Sequence, residues 1–170
     1  MHATRDFRHA VGMTEVPKDR SAPPVISVML VVPDAGAATT WYKAALGATE
    51  LWNLGGVVGL EIAGAPFFLH AVNPDNPAET EPGRAGVTSA RVEMFTDDPD
   101  DIIERAVAAG ATAGPDIEDR RAPWGTHRQG GFTDPFGHIW SVGDRSPLDP
   151  APKDRRPAVK DGPPAVKDRP

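Results

Sequence analysis

FTDPFGHIWSV, residues 132–142, encodes a tight turn that leads into a β-strand. Pro135 fixes its own φ, Gly137 can adopt the positive φ that a chain reversal needs, and Asp134 can accept hydrogen bonds from nearby backbone N–H groups. After the turn, Trp140 and Val142 alternate with residues of the other parity, which predicts a strand. This turn and strand close the second of two similar units in the chain.

Each unit is predicted to have the order β-α-β-β-β. In the first unit the predicted strands are Val25–Val32, Thr49–Leu54, Val57–Ile62 and Pro66–Val72, and the helix is Ala35–Leu46 with Gly47 at its end. In the second unit they are Ser89–Thr96, Ala111–Ile117, Thr126–Thr133 and Gly137–Gly143, with a helix at Asp98–Ala109 that Gly110 ends. Both helices run into Gly-Ala-Thr at the same spacing, so one unit occurs twice.

Composition sets the limits of the folded part. We expect one domain at residues 25–146, with units 25–72 and 87–144 joined by a proline-containing linker at 73–86. Segments 1–24 and 147–170 are expected to be disordered tails. The second of these holds seven of the 19 prolines and repeats Pro-Ala-Val-Lys-Asp, a composition that buries too little surface to offset the entropy of ordering.

Charge and cysteine content exclude several classes of function. Residues 25–146 carry 8 basic and 17 acidic residues, and an acidic body without a basic face argues against nucleic-acid binding. The chain has no cysteine, so it has neither a disulfide framework nor a thiol nucleophile. No apolar run is long enough to span a membrane, and the N-terminus does not resemble a signal peptide. These features predict a cytoplasmic protein without membrane or nucleic-acid partners.

Several motifs together resemble the glyoxalase/bleomycin-resistance/extradiol-dioxygenase superfamily, also called vicinal oxygen chelate. They are LVVPD at 30–34, WYKAALGA at 41–48, AVAAGA at 106–111, Trp124-Gly125 and DPFGHIW at 134–140. The resemblance implies an α+β fold in which the two units form a curved, half-open mixed sheet around a cleft. It also implies a small-molecule ligand and, as in many members, a homodimer, which would cover an exposed edge strand.

Metal-using members of that superfamily hold a cation with one His, Gln or Glu near the start of each unit's first strand and one Glu or His on each last strand. The matching positions here are Ser27, Arg91 (or Ala90 with a slip of one), Phe68 and Ser141. Serine is a poor ligand, phenylalanine is none, and arginine cannot lose its proton. We therefore predict no cofactor. A divalent cation held instead by His70, Glu93 and His127 stays open as an alternative.

Other residues are candidates for contacting a ligand. Trp52, Phe68, Phe95 and Trp124 could form an aromatic cage for a flat or cationic molecule. Strand periodicity places Arg91, Glu93 and Phe95 on one face, with His127 and Ser141 on strands expected near the cleft. The alternatives are that the aromatic residues belong to the core, that Arg91 pairs with Glu93, and that His70 is a satisfied polar residue at a sheet end. His138 has the opposite parity to Ser141 and is expected to face a helix or solvent.

Three functions follow from these features. The first is a protein that binds a small organic molecule in the cleft without the metal quartet, as the bleomycin-resistance branch does. The second is a lyase, isomerase or dioxygenase-type enzyme that uses relocated metal ligands or acid/base chemistry by Glu93 and His70. The third is a structural or regulatory module whose own side chains fill the cleft. The absence of the metal quartet from the sequence favours the first.

Overall fold

A computed structural model describes residues 24–76 and 78–148. The predicted tails therefore lie almost wholly outside the described residues; at the C-terminal boundary, Ser146–Leu148 forms a 3-10 turn. Within the described ranges, no helix is both long and apolar enough to cross a membrane.

The first unit has the predicted order of elements. They are β1 (Met29–Val32), α1 (Ala35–Leu46), β2 (Thr49–Asn53), β3 (Val57–Ile62) and β4 (Ala65–Ala71). The sheet order is β1-β4-β3-β2, with β1 parallel to β4 and the other pairs antiparallel. Helix α1 has the predicted bounds because Asp34 accepts a hydrogen bond from the Ala37 N–H and Gly47 ends the helix at φ 68°. Strand β1 is shorter than predicted.

The second unit repeats this sheet order with one interrupted strand. Its elements are α2 (Pro82–Ala85), β5 (Arg91–Phe95), α3 (Pro99–Ala108), β6 (Thr112–Ala113), β7 (Glu118–Ala122), β8 (Gly125–Thr133) and β9 (Ile139–Gly143). The sheet order is β5-β9-β8-β6, and β7 also pairs with β8. The helix α2 lies in the segment that the sequence indicated as a linker.

The predicted strand at Ala111–Ile117 is wrong in its bounds, because only Thr112–Ala113 of this segment forms a strand. Thr112 pairs with Thr133 and Glu118 with Gln129, so the register slips by two residues between β6 and β7. Pro115 lies in this slip and has no N–H to give to the ladder. The strand β7, which is rich in charged residues, was missed because it lies at an exposed edge and lacks an apolar alternation.

One hydrophobic core serves both units. Tyr42 of α1 packs edge-on to Phe67 of β4 and lies 5.8 Å from the ring of Trp140 on β9, centroid to centroid. Trp41 donates a hydrogen bond from Nε1 to the Ala109 carbonyl at the end of α3, at 2.9 Å. The two units therefore meet through the sides of their sheets that carry the helices.

Strand alternation leaves a second side on each sheet, which we call the helix-free face. On β4, Phe67 and Leu69 lie in the core, so Phe68 and His70 point to the helix-free face. On β9, Trp140 and Val142 lie in the core, so Ser141 between them points to the helix-free face. Of the superfamily's metal positions, those at Phe68, Arg91 and Ser141 fall on these helix-free faces, which therefore carry the candidate site.

Candidate ligand-binding site

Ser27, Phe68, Arg91 and Ser141 occupy the four positions that correspond to the superfamily's metal ligands. The Ser27 hydroxyl donates to the Pro66 carbonyl at 2.6 Å. Phe68 stacks on a tryptophan, the Arg91 guanidinium lies 2.5 Å from a Glu93 carboxylate oxygen, and Ser141 is buried. A phenyl ring and a paired cation at two of four positions do not fit a divalent metal ion.

Trp52 and Phe68 form an aromatic pair on the helix-free face of the first sheet. Their rings are near parallel, at 27°, with centroids 5.6 Å apart. Trp52 keeps 40% of its surface exposed. These two members of the predicted aromatic cage therefore lie together, and one of them remains open to solvent.

A β-bulge turns Trp52 toward this face. Along β2, Glu50 pairs with Leu60, whose side chain is in the core, and simple alternation would give Trp52 the same direction. The register shifts at Leu51, so that Trp52 instead lies opposite Gly59. A Cβ atom on Gly59 would come within 2.5 Å of Trp52 Cε2, so the indole rests directly on the glycine backbone.

Arg91 and Glu93 form a second group, on the helix-free face of the second sheet. The Arg91 Nε donates to Glu93 Oε1 at 2.6 Å, and the Gln129 amide lies 3.4 Å from Glu93 Oε2. Ser141 lies directly opposite Glu93 in the β5–β9 register. Arg91 and Ile139 border both a cavity of about 110 Å³ over this face and one of about 380 Å³ between β1 and β5.

His70 and Glu93 have different neighbours. The Nδ1 atom of His70 lies 3.7 Å from a carboxylate oxygen of Glu79, in the connecting segment, and has no hydrogen-bond partner among the described residues. Glu93 instead contacts Arg91 and Gln129. In residues 24–76 and 78–148, no group of three or more His, Asp or Glu side chains could hold a metal ion. The alternative cation site at His70, Glu93 and His127 is thus not assembled.

Trp124 and His127 belong to a third group, next to the end of β9. Their rings are 6.4 Å apart, and the His127 Nδ1 lies 2.9 Å from an Asp144 carboxylate oxygen and 3.1 Å from the Ser146 hydroxyl. Burial opposes the ionisation of Asp144. Hydrogen bonds from the Arg128 backbone N–H, from Ser146 and from His127 nevertheless hold the pKa of that carboxyl well below its usual range.

Phe95, the remaining member of the predicted cage, borders a larger cavity of about 790 Å³ at the mouth of the core. Its other walls include Phe67, Met94 and Trp140, which are core residues, and Glu93 lies at its edge. The four aromatic residues of the predicted cage therefore divide among three places. His138 was expected to face a helix or solvent; it is buried, and its Nε2 lies 2.9 Å from the Val31 carbonyl on β1.

Sequence reasoning missed Gly59, Gln129 and the carboxylate of Asp144. Gly59 carries a signal that could have been used, because an isolated glycine inside a strand pattern often marks close approach of another group. Gln129 and Asp144 have no such signal. Their contacts depend on the β8–β9 register, which the sequence does not specify.

The tandem units, their shared sheet order and the polar and aromatic helix-free faces define an α+β protein of two sheets that do not close into a barrel. Residues 25–142 match the model of the Glyoxalase/Bleomycin resistance protein/Dioxygenase superfamily, and the chain belongs to that superfamily. The resemblance seen in its motifs is thereby confirmed.

The chain is also similar to a protein of known sequence and to solved structures. An uncharacterized protein of Mycobacterium bovis is 36% identical over 128 residues, which cover 71% of this chain and 82% of that protein. The crystal structure of TioX from Micromonospora sp. ML1 aligns with a TM-score of 0.57 and 23% identity over 72% of this chain and 98% of that one. A glyoxalase-related enzyme from Fulvimarina pelagi aligns with a TM-score of 0.53 and 20% identity over 72% and 88%. At these identities the two structures support the fold alone.

Proposed function

We propose that this protein binds a small organic molecule on its helix-free faces and does so without the metal quartet of its superfamily. The observation that carries the proposal is the pair formed by Phe68 and Trp52. Phe68 occupies a position where metal-using members place a ligand, and here it stacks on an exposed indole. Binding is favoured when the apolar face of a ligand covers exposed aromatic rings, because both surfaces are removed from water.

The test is a thermal-shift screen of flat aromatic and aliphatic compounds, followed by titration of the hits. A ligand of the native protein raises the melting temperature in a concentration-dependent way. We expect Trp52→Ala to remove most of this shift. Trp124→Ala is the matched control, since Trp124 is 42% exposed but packs against His127. An equal loss in both variants would contradict a site centred on Trp52, and no loss in Trp52→Ala would refute the proposal.

An enzyme is the second candidate function, and the environment of Glu93 favours it. Its carboxylate is held between the Arg91 guanidinium and the Gln129 amide, and it borders two of the cavities. A carboxylate fixed beside a cavity is suited to act as a general base. If turnover of any bound compound is detected, Glu93→Gln should abolish it while leaving the melting temperature nearly unchanged.

Metal content separates these candidates from a metal enzyme. Elemental mass spectrometry of the purified protein, before and after incubation with zinc, nickel, manganese or iron, measures ions per chain. Retention near one ion per chain would contradict binding without a metal and would require ligands other than Ser27, Phe68, Arg91 and Ser141. Loss of all ions on dialysis is the expected result.

We also propose a cytoplasmic homodimer. Strands β1 and β5 each pair with one neighbour within the described sheets and leave the other edge without a β partner. Such edges favour pairing with another chain. Light scattering coupled to size exclusion measures the mass in solution, and a monomer at all concentrations would contradict the dimer.

Cell fractionation tests the proposed cytoplasmic location, which the cysteine-free composition supports.

A further inference from the structure

At Gly59, the backbone of strand β3 lies directly under an aromatic ring. The nearest atoms to a Cβ built on it are Cε2, Nε1 and Cδ2 of Trp52, at 2.5, 2.7 and 3.0 Å. These three atoms lie at and next to the junction of the two indole rings, so the indole lies across the glycine rather than touching it with an edge. Any side chain at this position would displace the ring.

The bulge and the glycine act together. The bulge at Leu51 brings Trp52 to the helix-free face. Because Gly59 has no side chain, the indole ring can lie flat against the sheet there. Phe68 follows on the neighbouring strand, directly opposite Gly59 in the β3–β4 register. The two near-parallel rings are therefore stacked beside the sheet backbone, and 40% of Trp52 stays exposed.

We infer that Gly59 is a positioning residue that builds a stacking subsite, on which one flat aromatic ring of the ligand lies against Trp52. This inference rests on the proposed function and names the class of ligand. The part of the indole that Gly59 and Phe68 leave exposed presents a π-surface to the ligand, and parallel offset stacking there is favoured over contact with a non-planar aliphatic group. An indole displaced from the sheet would lose both its support and its alignment with Phe68.

Gly59→Ala tests this inference, and the chain offers a matched control. Gly56 lies in the neighbouring turn, and a Cβ built on it meets no atom within 4 Å. Gly56→Ala should therefore leave stability and binding unchanged. The probe is 9-aminoacridine, a planar aromatic cation whose own fluorescence reports binding. Hexylamine, a flexible aliphatic cation, serves as competitor to measure any attraction due to charge alone.

We expect Trp52→Ala and Gly59→Ala each to weaken binding of 9-aminoacridine about fivefold or more, the scale of one aromatic pair. In the double variant, Gly59→Ala should add no further loss, because it acts through Trp52. The same cycle applied to urea unfolding checks the fold. Gly59→Ala should destabilise the native protein but be neutral or stabilising beside Trp52→Ala, where the ring that collides with the new methyl group is gone.

The outcomes separate the inference from the proposed function. If Trp52→Ala weakens binding and Gly59→Ala does not, Gly59 has no positioning role and the proposed function stands. If the native protein does not bind 9-aminoacridine, or hexylamine displaces it as well as a planar competitor does, the flat-ring subsite is refuted. If Trp52→Ala instead converts a dimer to a monomer, a second copy covers the face and the subsite assignment is wrong.

Discussion

Asp134 is the side chain that links the turn of the second unit to the helix of the first. Its Oδ2 accepts hydrogen bonds from the Tyr42 hydroxyl at 2.5 Å and from Trp140 Nε1 at 3.0 Å, while Oδ1 accepts the backbone N–H groups of Phe136 and His138. Burial, and secondarily the negative charge of Asp134, raise the pKa of Tyr42 well above its ordinary value. Tyr42 therefore remains a neutral donor throughout the physiological range.

Asp134→Asn should lower the free energy of unfolding by about 3 kcal/mol, because an amide has a single acceptor oxygen and leaves buried donors unpaired. Tyr42→Phe removes a single hydrogen bond to a charged acceptor and should cost about 1.5 kcal/mol. Urea unfolding measures both. Asp34→Asn, at the exposed cap of α1, is the control. A loss below about 0.5 kcal/mol in Asp134→Asn would show that the turn tolerates the exchange.

Arg128 connects three elements of the second unit. From β8, its guanidinium makes two hydrogen bonds to Asp100 near the start of α3, at 2.8 and 2.7 Å, and one to Asp119 on β7 at 3.1 Å. The bonds from Arg128 lower the pKa of Asp100, while Asp100 and then Asp119 raise the pKa of Arg128 above its ordinary value. The charged strand β7 is thus fixed to its sheet partly by side chains.

Replacing Arg128 by Met should reduce stability and should loosen β7, since two acidic groups lose their shared partner. Arg105→Met is the matched control, because Arg105 pairs with Asp101 within one helix. We expect the Arg128 variant to have the lower urea midpoint, and the difference to shrink at high salt, where exposed ion pairs are screened. Equal midpoints at low salt would contradict this role for Arg128.

How far an element could be predicted depended on how locally it is specified. Helix α1 was placed to the residue because Asp34 and Gly47 set its ends through contacts within a few residues. Strand β7 was missed because it is held by pairing with β8 and by Arg128, which are distant contacts. Trp52 is a candidate from the sequence, but the side of the sheet it faces depends on a one-residue shift that no composition rule predicts.

For the molecule as a whole, stability should fall in acid. The pKa of Asp144 is held well below that of an unfolded aspartate, which is about 3.9. A lowered pKa in the folded state stabilises the protein above the unfolded value, and that contribution is lost as pH falls through the folded one. Urea unfolding between about pH 5 and pH 2 should show this loss. Asp144→Asn should flatten the curve, whereas Asp116→Asn, at an exposed position, should not.

The candidate site shows the limit of sequence reasoning at the scale of the molecule. Residues on one strand were grouped correctly, as with Arg91 and Glu93, because strand periodicity fixes their common side. Residues on different strands, such as His70 and Glu93, were not grouped correctly. Their distance depends on the relative placement of the two sheets. That placement is set by the shared core of Tyr42, Phe67 and Trp140.

The shared core also changes what the internal repeat means. Each unit keeps its own sheet and helix, yet Tyr42 donates its hydroxyl to the other unit's Asp134, and Trp41 bonds to the backbone at the end of α3. Loss of either unit alone would expose the aromatic rings of the other and break the hydrogen bond between Tyr42 and Asp134. The two repeated units therefore depend on each other, and a substitution at Tyr42 in one unit also affects the other.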